Sequence, residues 1–179
     1  MPTLVAFLRG LNVGGHTVKM DRLRALFEEL GVSDVKTLIA SGNVVFTSRA
    51  KSVEALAKRI ASHLQASLGY PVATLLRTNE EVAAIAEYQP FPKPRVATAK
   101  VLSVGFFPAP LGAAGTKLAI AYRTATDDFH VRGRELYWLC QTGTSDSAFP
   151  SAKLEKQLGM QATFRNMNTI RRLAALVDR

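Results

Sequence analysis

The segment Gly10-Leu-Asn-Val-Gly-Gly15-His16-Thr17 places glycines and short polar side chains between an apolar run and an amphipathic stretch. Glycines before a helix leave backbone N–H groups uncovered, and the positive end of the helix dipole stabilises an anion there. The spacing approaches the phosphate-binding pattern Gly-x4-Gly-Lys-Ser/Thr, but His16 replaces the lysine that neutralises the outer phosphates. Two interpretations remain: a backbone anion site, or a tight turn that requires positive φ.

A second group of polar residues lies near the other end of the chain. The run Arg165-Asn-Met-Asn-Thr169 is predicted to place a guanidinium and short amides at the start of the last helix. Arg165 offers a planar fork to a carboxylate or phosphate, with the amides setting the orientation. Alternatively, Asn166 or Asn168 only caps that helix. Lys153 begins the basic segment of a short predicted helix. By itself it is interpreted as a lysine exposed to solvent.

The remaining nucleophilic and metal-binding residue types form no recognisable set. Ser41 belongs to a predicted hairpin turn with Asn43 and has no assignable base. Cys140 lies beside Trp138 on an apolar strand, which predicts a buried thiol. No metal site is expected, because the histidines are scattered and none is paired four residues apart: His16, His63 and His130. No cofactor is predicted.

Charge favours an anionic partner without identifying one. The chain of 179 residues has 23 Lys and Arg against 14 Asp and Glu, a formal net charge of +9. Most of the excess positive charge lies after residue 89, which favours a nucleic acid, a nucleotide or a phosphorylated metabolite as partner. No run of five like charges occurs, so the same excess is also compatible with a purely solubilising role. One cysteine excludes a disulfide framework.

The apolar segments are too short for a membrane span. No stretch reaches 18 uninterrupted apolar residues, so no membrane partner is expected. The apolar run Leu4–Leu8 lacks a basic leader and stops at Arg9, which argues against a signal peptide. A cytoplasmic location is therefore predicted.

Hydrophobic periodicity predicts the same order of elements twice, βαββαβ, the ferredoxin-like unit. In the first half these are strand Leu4–Leu8, a helix from Met20 to Leu30, strands Val35–Ala40 and Val44–Thr47, a helix from Ser52 to near Gly69, and strand Val72–Leu76. In the second half they are strand Lys100–Phe107, a helix within Leu111–Tyr122, strands Asp127–Val131 and Glu135–Cys140, helix Ser151–Leu158 and strand Met160–Phe164, then an extra C-terminal helix. The predicted fold class is α+β.

A proline-rich segment is predicted to join the two halves. Three prolines within Pro90–Pro94 resist helix and central strand alike, so the segment should be extended and semi-rigid. The predicted domains are residues 1–88, a linker at 89–97, and residues 98–179 with the terminal helix. Ferredoxin-like units can bind RNA through aromatic side chains on the sheet. Here Phe46 is the one aromatic residue of its strand and no basic residue directly precedes Gly42, so a surface on which bases could stack is not expected.

Several separated motifs together resemble the family described as domain of unknown function 1697, small bacterial cytoplasmic proteins. They are Phe7-Leu-Arg-Gly-Leu-Asn-Val-Gly-Gly15, Lys19-Met20, Ser41-Gly-Asn-Val-Val-Phe46, Lys153-Leu154 and Thr163-Phe-Arg-Asn-Met-Asn-Thr169. The resemblance implies two ferredoxin-like halves and no established activity. The chain departs from the family pattern at His16, Ala152 and Met167, where lysine, serine and tryptophan are usual.

The residues that match these motifs at turns and element ends form the hypothesis for a site. They are expected to converge in a basic cleft between the halves and bind an anion: Arg9, Asn12, Gly14, Gly15, Lys19, Ser41, Asn43, Lys153, Arg165, Asn166 and Asn168. The first functional hypothesis is a binding module for a phosphate-bearing small molecule or nucleic acid. The alternatives are an enzyme acting on an anionic small molecule, with Lys19, Lys153 or His16 as proton donor, and a non-catalytic oligomerising protein. Oligomeric state stays open.

Overall fold

The computed structural model describes residues 1–38 and 42–177. The chain divides into two compact units: unit 1 contains Met1–Ile85 and the residues from Arg172 onward, and unit 2 is Ala86–Arg171. The predicted boundaries at residues 88 and 97 stay a prediction. Ser41 and the last two residues of the predicted strand Val35–Ala40 lie outside the described residues.

Unit 1 is built on a four-stranded antiparallel sheet with the strand order β2-β3-β1-β4. Its elements are β1 (Thr3–Arg9), α1 (Met20–Glu28), β2 (Ser33–Leu38), β3 (Asn43–Thr47), α2 (Val53–Leu68), β4 (Ala73–Thr78) and α3 (Asn79–Glu87), whose last two residues are counted in unit 2. The central strand β1 pairs with both neighbours, so that Val5 lies opposite Val45 on one side and Arg77 on the other.

The core of unit 1 forms where α1 and α2 pack against the sheet. Alternate residues of β1 point to this face, and Phe27, Phe46 and Ile60 are fully buried beside them. The predicted start and end of α2 are confirmed: the Ser52 hydroxyl accepts the Ala55 N–H at 3.1 Å, and the helix ends at Gly69 with φ of 86°. These local signals explain why this helix was predictable from the sequence.

Unit 2 repeats the arrangement with the strand order β6-β7-β5-β8. Its elements are α4 (Lys93–Thr98), β5 (Val101–Phe106), α5 (Gly112–Ile120), β6 (Asp127–Arg132), β7 (Glu135–Cys140), α6 (Ser151–Leu158), β8 (Thr163–Asn166) and α7 (Met167–Val177), which runs past the unit's last residue. The predicted α+β class, with two ferredoxin-like halves, is confirmed.

A buried carboxylate organises one corner of unit 2. Asp127 is 3% exposed. Its Oδ1 accepts hydrogen bonds from Trp138 Nε1 at 2.8 Å and from the Ser147 hydroxyl at 2.9 Å. Burial alone would raise the pKa of Asp127, but these hydrogen bonds outweigh it and hold the pKa below its ordinary value. Cys140 is buried on the same sheet, as predicted.

The prediction of a fully extended proline-rich segment is wrong at its second half, because Lys93–Thr98 forms helix α4. Pro94 lies in the first turn, where a backbone N–H would have no partner within the helix and a fixed φ is favourable. Arg95 then fastens the helix to β6 through an ion pair with Asp128 at 2.6 Å. Tertiary pairing thus stabilises a helix too short to form alone.

Candidate functional site

The loop of residues 10–19, between β1 and α1, is held in place from within. Leu11 and Val18 are buried and anchor its two ends to the core of unit 1. Between them the Asn12 side chain bridges the loop, because its Oδ1 accepts the Val18 N–H at 2.8 Å. Asn12 therefore fixes the loop conformation, a role typical of asparagine in turns.

A residue distant in the sequence supports the same loop. The Tyr70 ring stacks on the His16 ring with 3.9 Å between centroids and an angle of 18°. The Tyr70 hydroxyl also donates to the Leu11 carbonyl at 2.7 Å. Sequence reasoning missed Tyr70, and its position just after the end of α2 gave no signal that it contacts this loop.

The exposed part of the loop is the backbone around Gly14 and Gly15. Both have positive φ, 61° and 83°, and a Cβ at either position would meet nothing within 4 Å. The glycines are therefore required by backbone conformation and not by crowding. This supports the tight-turn interpretation directly, and within that turn the His16 N–H donates to the Val13 carbonyl at 3.1 Å. Gly14 and Gly15 themselves are exposed.

Along the chain, cations lie on both sides of this exposed backbone. Lys19 is exposed and occupies the N-cap position of α1, where its side chain makes no capping hydrogen bond. Arg9, at the end of β1, is half-buried and lies opposite Ala73. No aspartate or glutamate occurs between Met1 and Met20. The first carboxylate along the chain, Asp21, pairs with Arg24 at 3.0 Å.

Asn43 has a structural contact inside the sheet. It is 1% exposed, and its Nδ2 donates to the Leu38 carbonyl at 3.1 Å, which ties together the two ends of the β2–β3 hairpin. Because its side chain is buried, Asn43 is less suited to contact a ligand than the residues of the loop. Ser41 lies outside the described residues.

The prediction that Arg165 lies at the start of the last helix is wrong. Arg165 lies within β8, opposite Val104. It is 9% exposed and donates to the Thr163 hydroxyl at 2.8 Å and to the Phe164 carbonyl at 3.0 Å. Burial disfavours the charged form and lowers the pKa of Arg165 to about 10. Since that value is still far above neutral pH, the guanidinium remains charged.

The other predicted residues of unit 2 are exposed. Asn166 is the residue before α7, and its Oδ1 accepts the Asn168 N–H at 2.9 Å, so the capping role is confirmed for Asn166. The Asn168 side chain in turn accepts from Arg171 at 3.4 Å. Lys153 projects from the first turn of α6.

The predicted site residues that the structure describes thus form two groups, one in each unit. Unit 1 holds Arg9, Asn12, Gly14, Gly15, Lys19 and Asn43, and unit 2 holds Lys153, Arg165, Asn166 and Asn168. Five of the first group belong to one continuous segment, from Arg9 to Lys19. The expectation that both groups face one cleft stays a prediction.

Metal and membrane features can be assessed for the described ranges. Within residues 1–38 and 42–177, no three His, Cys, Asp or Glu side chains are grouped so that they could hold a metal ion. In the same ranges, every helix is too short or too polar to cross a bilayer.

Comparison with known proteins identifies relatives of the chain. The family model described as protein of unknown function (DUF1697) matches residues 1–137, which include the loop of residues 10–19. No curated protein matches the chain. Among solved structures, the conserved bacterial protein SP0830 from Streptococcus pneumoniae is similar with a TM-score of 0.76. The two are 21% identical over 100% of this chain and 99% of that chain, a level that shows the fold alone.

Proposed function

The chain belongs to the DUF1697 family of proteins of unknown function, and we propose that it binds a phosphate-bearing ligand at the loop of residues 10–19. The observation that carries this proposal is the combination of an internally fixed loop with exposed glycine backbone and flanking cations. Asn12 and Tyr70 hold the loop, and Lys19 stands at its end.

Preorganisation favours binding at this loop. A flexible loop loses conformational freedom when it closes on a ligand, and that loss weakens affinity. Here the Asn12–Val18 hydrogen bond and the His16–Tyr70 stack already restrict the loop. The backbone near Gly14 and Gly15 therefore requires little further ordering to present its N–H groups to an anion.

Electrostatics favour an anion at the same place. The N-terminus of α1 carries a partial positive charge, and Lys19 adds a full one beside it. Phosphate oxygens accept hydrogen bonds from backbone N–H groups at such helix starts. The nearest carboxylate in sequence, Asp21, is paired with Arg24, which reduces its repulsion of an incoming anion.

The ligand class remains phosphate-bearing in general, covering nucleotides, sugar phosphates and nucleic acid. For a nucleic acid, contacts by about four cations would give a slope of roughly −3.6 for log affinity against log salt on duplex DNA. The exposed Lys153, Asn166 and Asn168 of unit 2 belong to the same hypothesis, and variants at these positions can be tested in the same titrations.

Amide NMR titrations test the proposal. Inorganic phosphate, ATP and a short DNA or RNA duplex are added separately to the full chain at about 50 mM salt, where electrostatic affinity is high. We expect saturable shifts of the amides of residues 13–19. Lys19→Gln should weaken the binding about threefold to tenfold, as loss of one charge-assisted contact predicts.

The matched control is Lys51→Gln, which removes an exposed lysine of unit 1 outside the loop. It should leave the affinity within about twofold, because exposed charges at a distance are largely screened. The proposal fails if none of the phosphate compounds shifts the loop amides, or if the two lysine variants weaken binding equally.

A further inference from the structure

Unit 2 contains a cavity to which the loop of residues 10–19 does not contribute. Its volume is about 250 Å³, and it opens between the proline-rich segment, helix α4, strand β5 and the last residue of the unit, Arg171. Liquid water occupies about 30 Å³ per molecule, so this space corresponds to about eight waters. A compact ligand of about ten non-hydrogen atoms matches that size.

The walls of the cavity are mainly apolar. Phe91, at 6% exposure, forms part of the wall with Val96 of α4 and Leu102 of β5. Pro90 and Ala97 add further apolar surface. Such a surface favours an aromatic or branched hydrocarbon body, because burying that body releases water from both surfaces.

Two cations and an amide complete the lining. Lys93 and Arg171 are both exposed and line the cavity with Gln89, and no carboxylate is among the described residues that line it. A third cation, Arg95, is not among the lining residues: its guanidinium lies 5.9 Å from the Phe91 ring centroid and is paired with Asp128. The charge of the lining is therefore positive and calls for an anionic group on the ligand.

The cavity is bounded by a fixed element. Helix α4 contributes Val96, and its Arg95 is joined to Asp128 of β6 at 2.6 Å. Asp128 also accepts from Arg123 at 2.6 Å, so the anchoring carboxylate has two cationic partners. This attachment joins α4, which supplies part of the cavity wall, to β6.

We propose that this cavity binds a small monocarboxylate with an aromatic or branched apolar body, through its apolar walls and the cations Lys93 and Arg171. A carboxylate matches the planar fork of arginine. A doubly charged phosphate is disfavoured here, because bringing it against apolar walls removes more solvation than two exposed cations restore. The site is independent of the loop of residues 10–19.

Three probes separate the parts of this proposal in amide NMR titrations of the full chain. Phenylacetate carries both the ring and the charge, phenylacetamide carries the ring alone, and acetate carries the charge alone. We expect phenylacetate to give saturable shifts at Phe91, Val96 and Leu102, with a dissociation constant of about 1 mM or tighter. The other two probes should bind at least about fivefold more weakly.

Variants then test the cavity itself. Arg171→Gln and Lys93→Gln should each weaken phenylacetate binding about threefold to tenfold. Ala97→Phe fills the cavity from an exposed position and should abolish saturable shifts, while its amide spectrum reports whether the fold is kept. The matched control, Lys117→Gln, removes an exposed lysine of α5 and should leave binding unchanged.

Each contrary outcome overturns the proposal. These are equal affinity for phenylacetamide and phenylacetate, shifts of phenylacetate that map elsewhere or do not saturate, and undiminished binding to a folded Ala97→Phe variant. If phosphate or ATP, and not phenylacetate, shifts the cavity amides, the ligand class assigned here is wrong. None of these results bears on the loop of unit 1, so the two proposals fail separately.

Discussion

Unit 1 and unit 2 share a strand order but join their first strand to their first helix differently. In unit 1 the connection is the glycine-containing loop of residues 10–19. In unit 2 it is the shorter segment of residues 107–111, which contains Pro108 and Pro110 and whose Phe107 and Leu111 are buried. Because the short connection closes the same topology, the fold does not require the longer glycine loop. Its presence in one unit therefore favours a role beyond folding.

The two units also repeat one feature closely. Arg77 of β4 lies opposite Val5, and Arg165 of β8 lies opposite Val104, each on the strand that pairs with the first strand of its unit. Each donates to the carbonyl of the preceding residue, at 2.9 Å for Arg77 and 3.0 Å for Arg165. A buried arginine is thus part of the repeated framework, and its type alone does not mark a ligand site.

The helices that follow these arginines are capped by different chemistry. Thr78 and Glu81 form a reciprocal capping box: the Glu81 carboxylate accepts the Thr78 N–H at 2.8 Å, and the Thr78 hydroxyl accepts the Glu81 N–H at 3.1 Å. At the corresponding place in unit 2, Asn166 accepts the Asn168 N–H. The helix after the fourth strand is thus capped in both units, by threonine and glutamate in unit 1 and by asparagine in unit 2.

The largest expected difference between the units concerns the first residues of β2 and β6. Asp127→Ala should lower the free energy of unfolding by about 3 kcal/mol, because it leaves Trp138 and Ser147 without their buried acceptor. Ser33→Ala, at the matching end of β2, should cost less than about 0.5 kcal/mol, since its hydroxyl contact with Thr47 is exposed. Urea unfolding at pH 7, followed by circular dichroism, measures both.

The pH dependence sharpens this prediction. Because the folded pKa of Asp127 lies below its ordinary value of 3.8, its contribution to stability is present above that value and lost as the pH falls through the folded pKa. The difference between the wild type and Asp127→Ala should therefore shrink in acid. Equal costs for Asp127→Ala and Ser33→Ala at pH 7 would show that the buried hydrogen bonds of Asp127 add no more stability than the exposed contact of Ser33.

An intermediate effect is expected at the hairpin glycines. Gly42 has φ of 84°, and an added Cβ would come within 3.0 Å of Leu8 Cβ, so Gly42→Ala should cost about 2–3 kcal/mol. Gly133 has φ of 60° and open space around it, so Gly133→Ala should cost about 1 kcal/mol. Urea unfolding of both variants gives the comparison. A cost at Gly42 no larger than that at Gly133 would show that crowding at Leu8 is relieved by small movements.

The smallest effect concerns His130 of β6. Burial first, and then the charges of Arg123 and Arg132, lower the pKa of His130 below its ordinary value of 6.5, although Asp128 opposes this. The unfolded chain therefore binds more protons just below pH 6.5, and stability should fall as the pH decreases there. His130→Gln should reduce that slope between about pH 6.5 and 5 in unfolding measurements. A slope that the substitution leaves unchanged would exclude His130 as its source.

Local signals explain why most elements could be predicted. The alternation and length of the apolar runs identified the strands, and Ser52 and Gly69 marked the ends of α2 within one residue. The sequence does not predict the helix from Lys93 to Thr98, because this helix depends on the contact of Arg95 with Asp128, 33 residues further along the chain. The apolar run predicts a strand that ends at Phe164, but β8 extends from Thr163 to Asn166, so Arg165 lies in the strand and not at the start of the helix.

The candidate site shows the same limit. Residue types and spacing identified the loop of residues 10–19, since glycine and asparagine have narrow conformational roles. Burial could not be read from residue type, so Asn43 and Arg165 were grouped with exposed residues although their side chains are buried and bonded to neighbouring backbone. Tyr70 was missed because stacking on His16 joins positions that no local pattern connects.

The amino-acid sequence by itself determined the α+β class, the two repeats of the strand and helix order, and the glycine loop between the first strand and helix. These depend on periodicity and on the backbone preferences of single residues, which act over short separations along the chain. Tertiary structure alone decided which polar side chains are buried, which aromatic ring supports the loop, and where unit 2 keeps a cavity. Those properties arise from packing between distant segments, which no local spacing encodes.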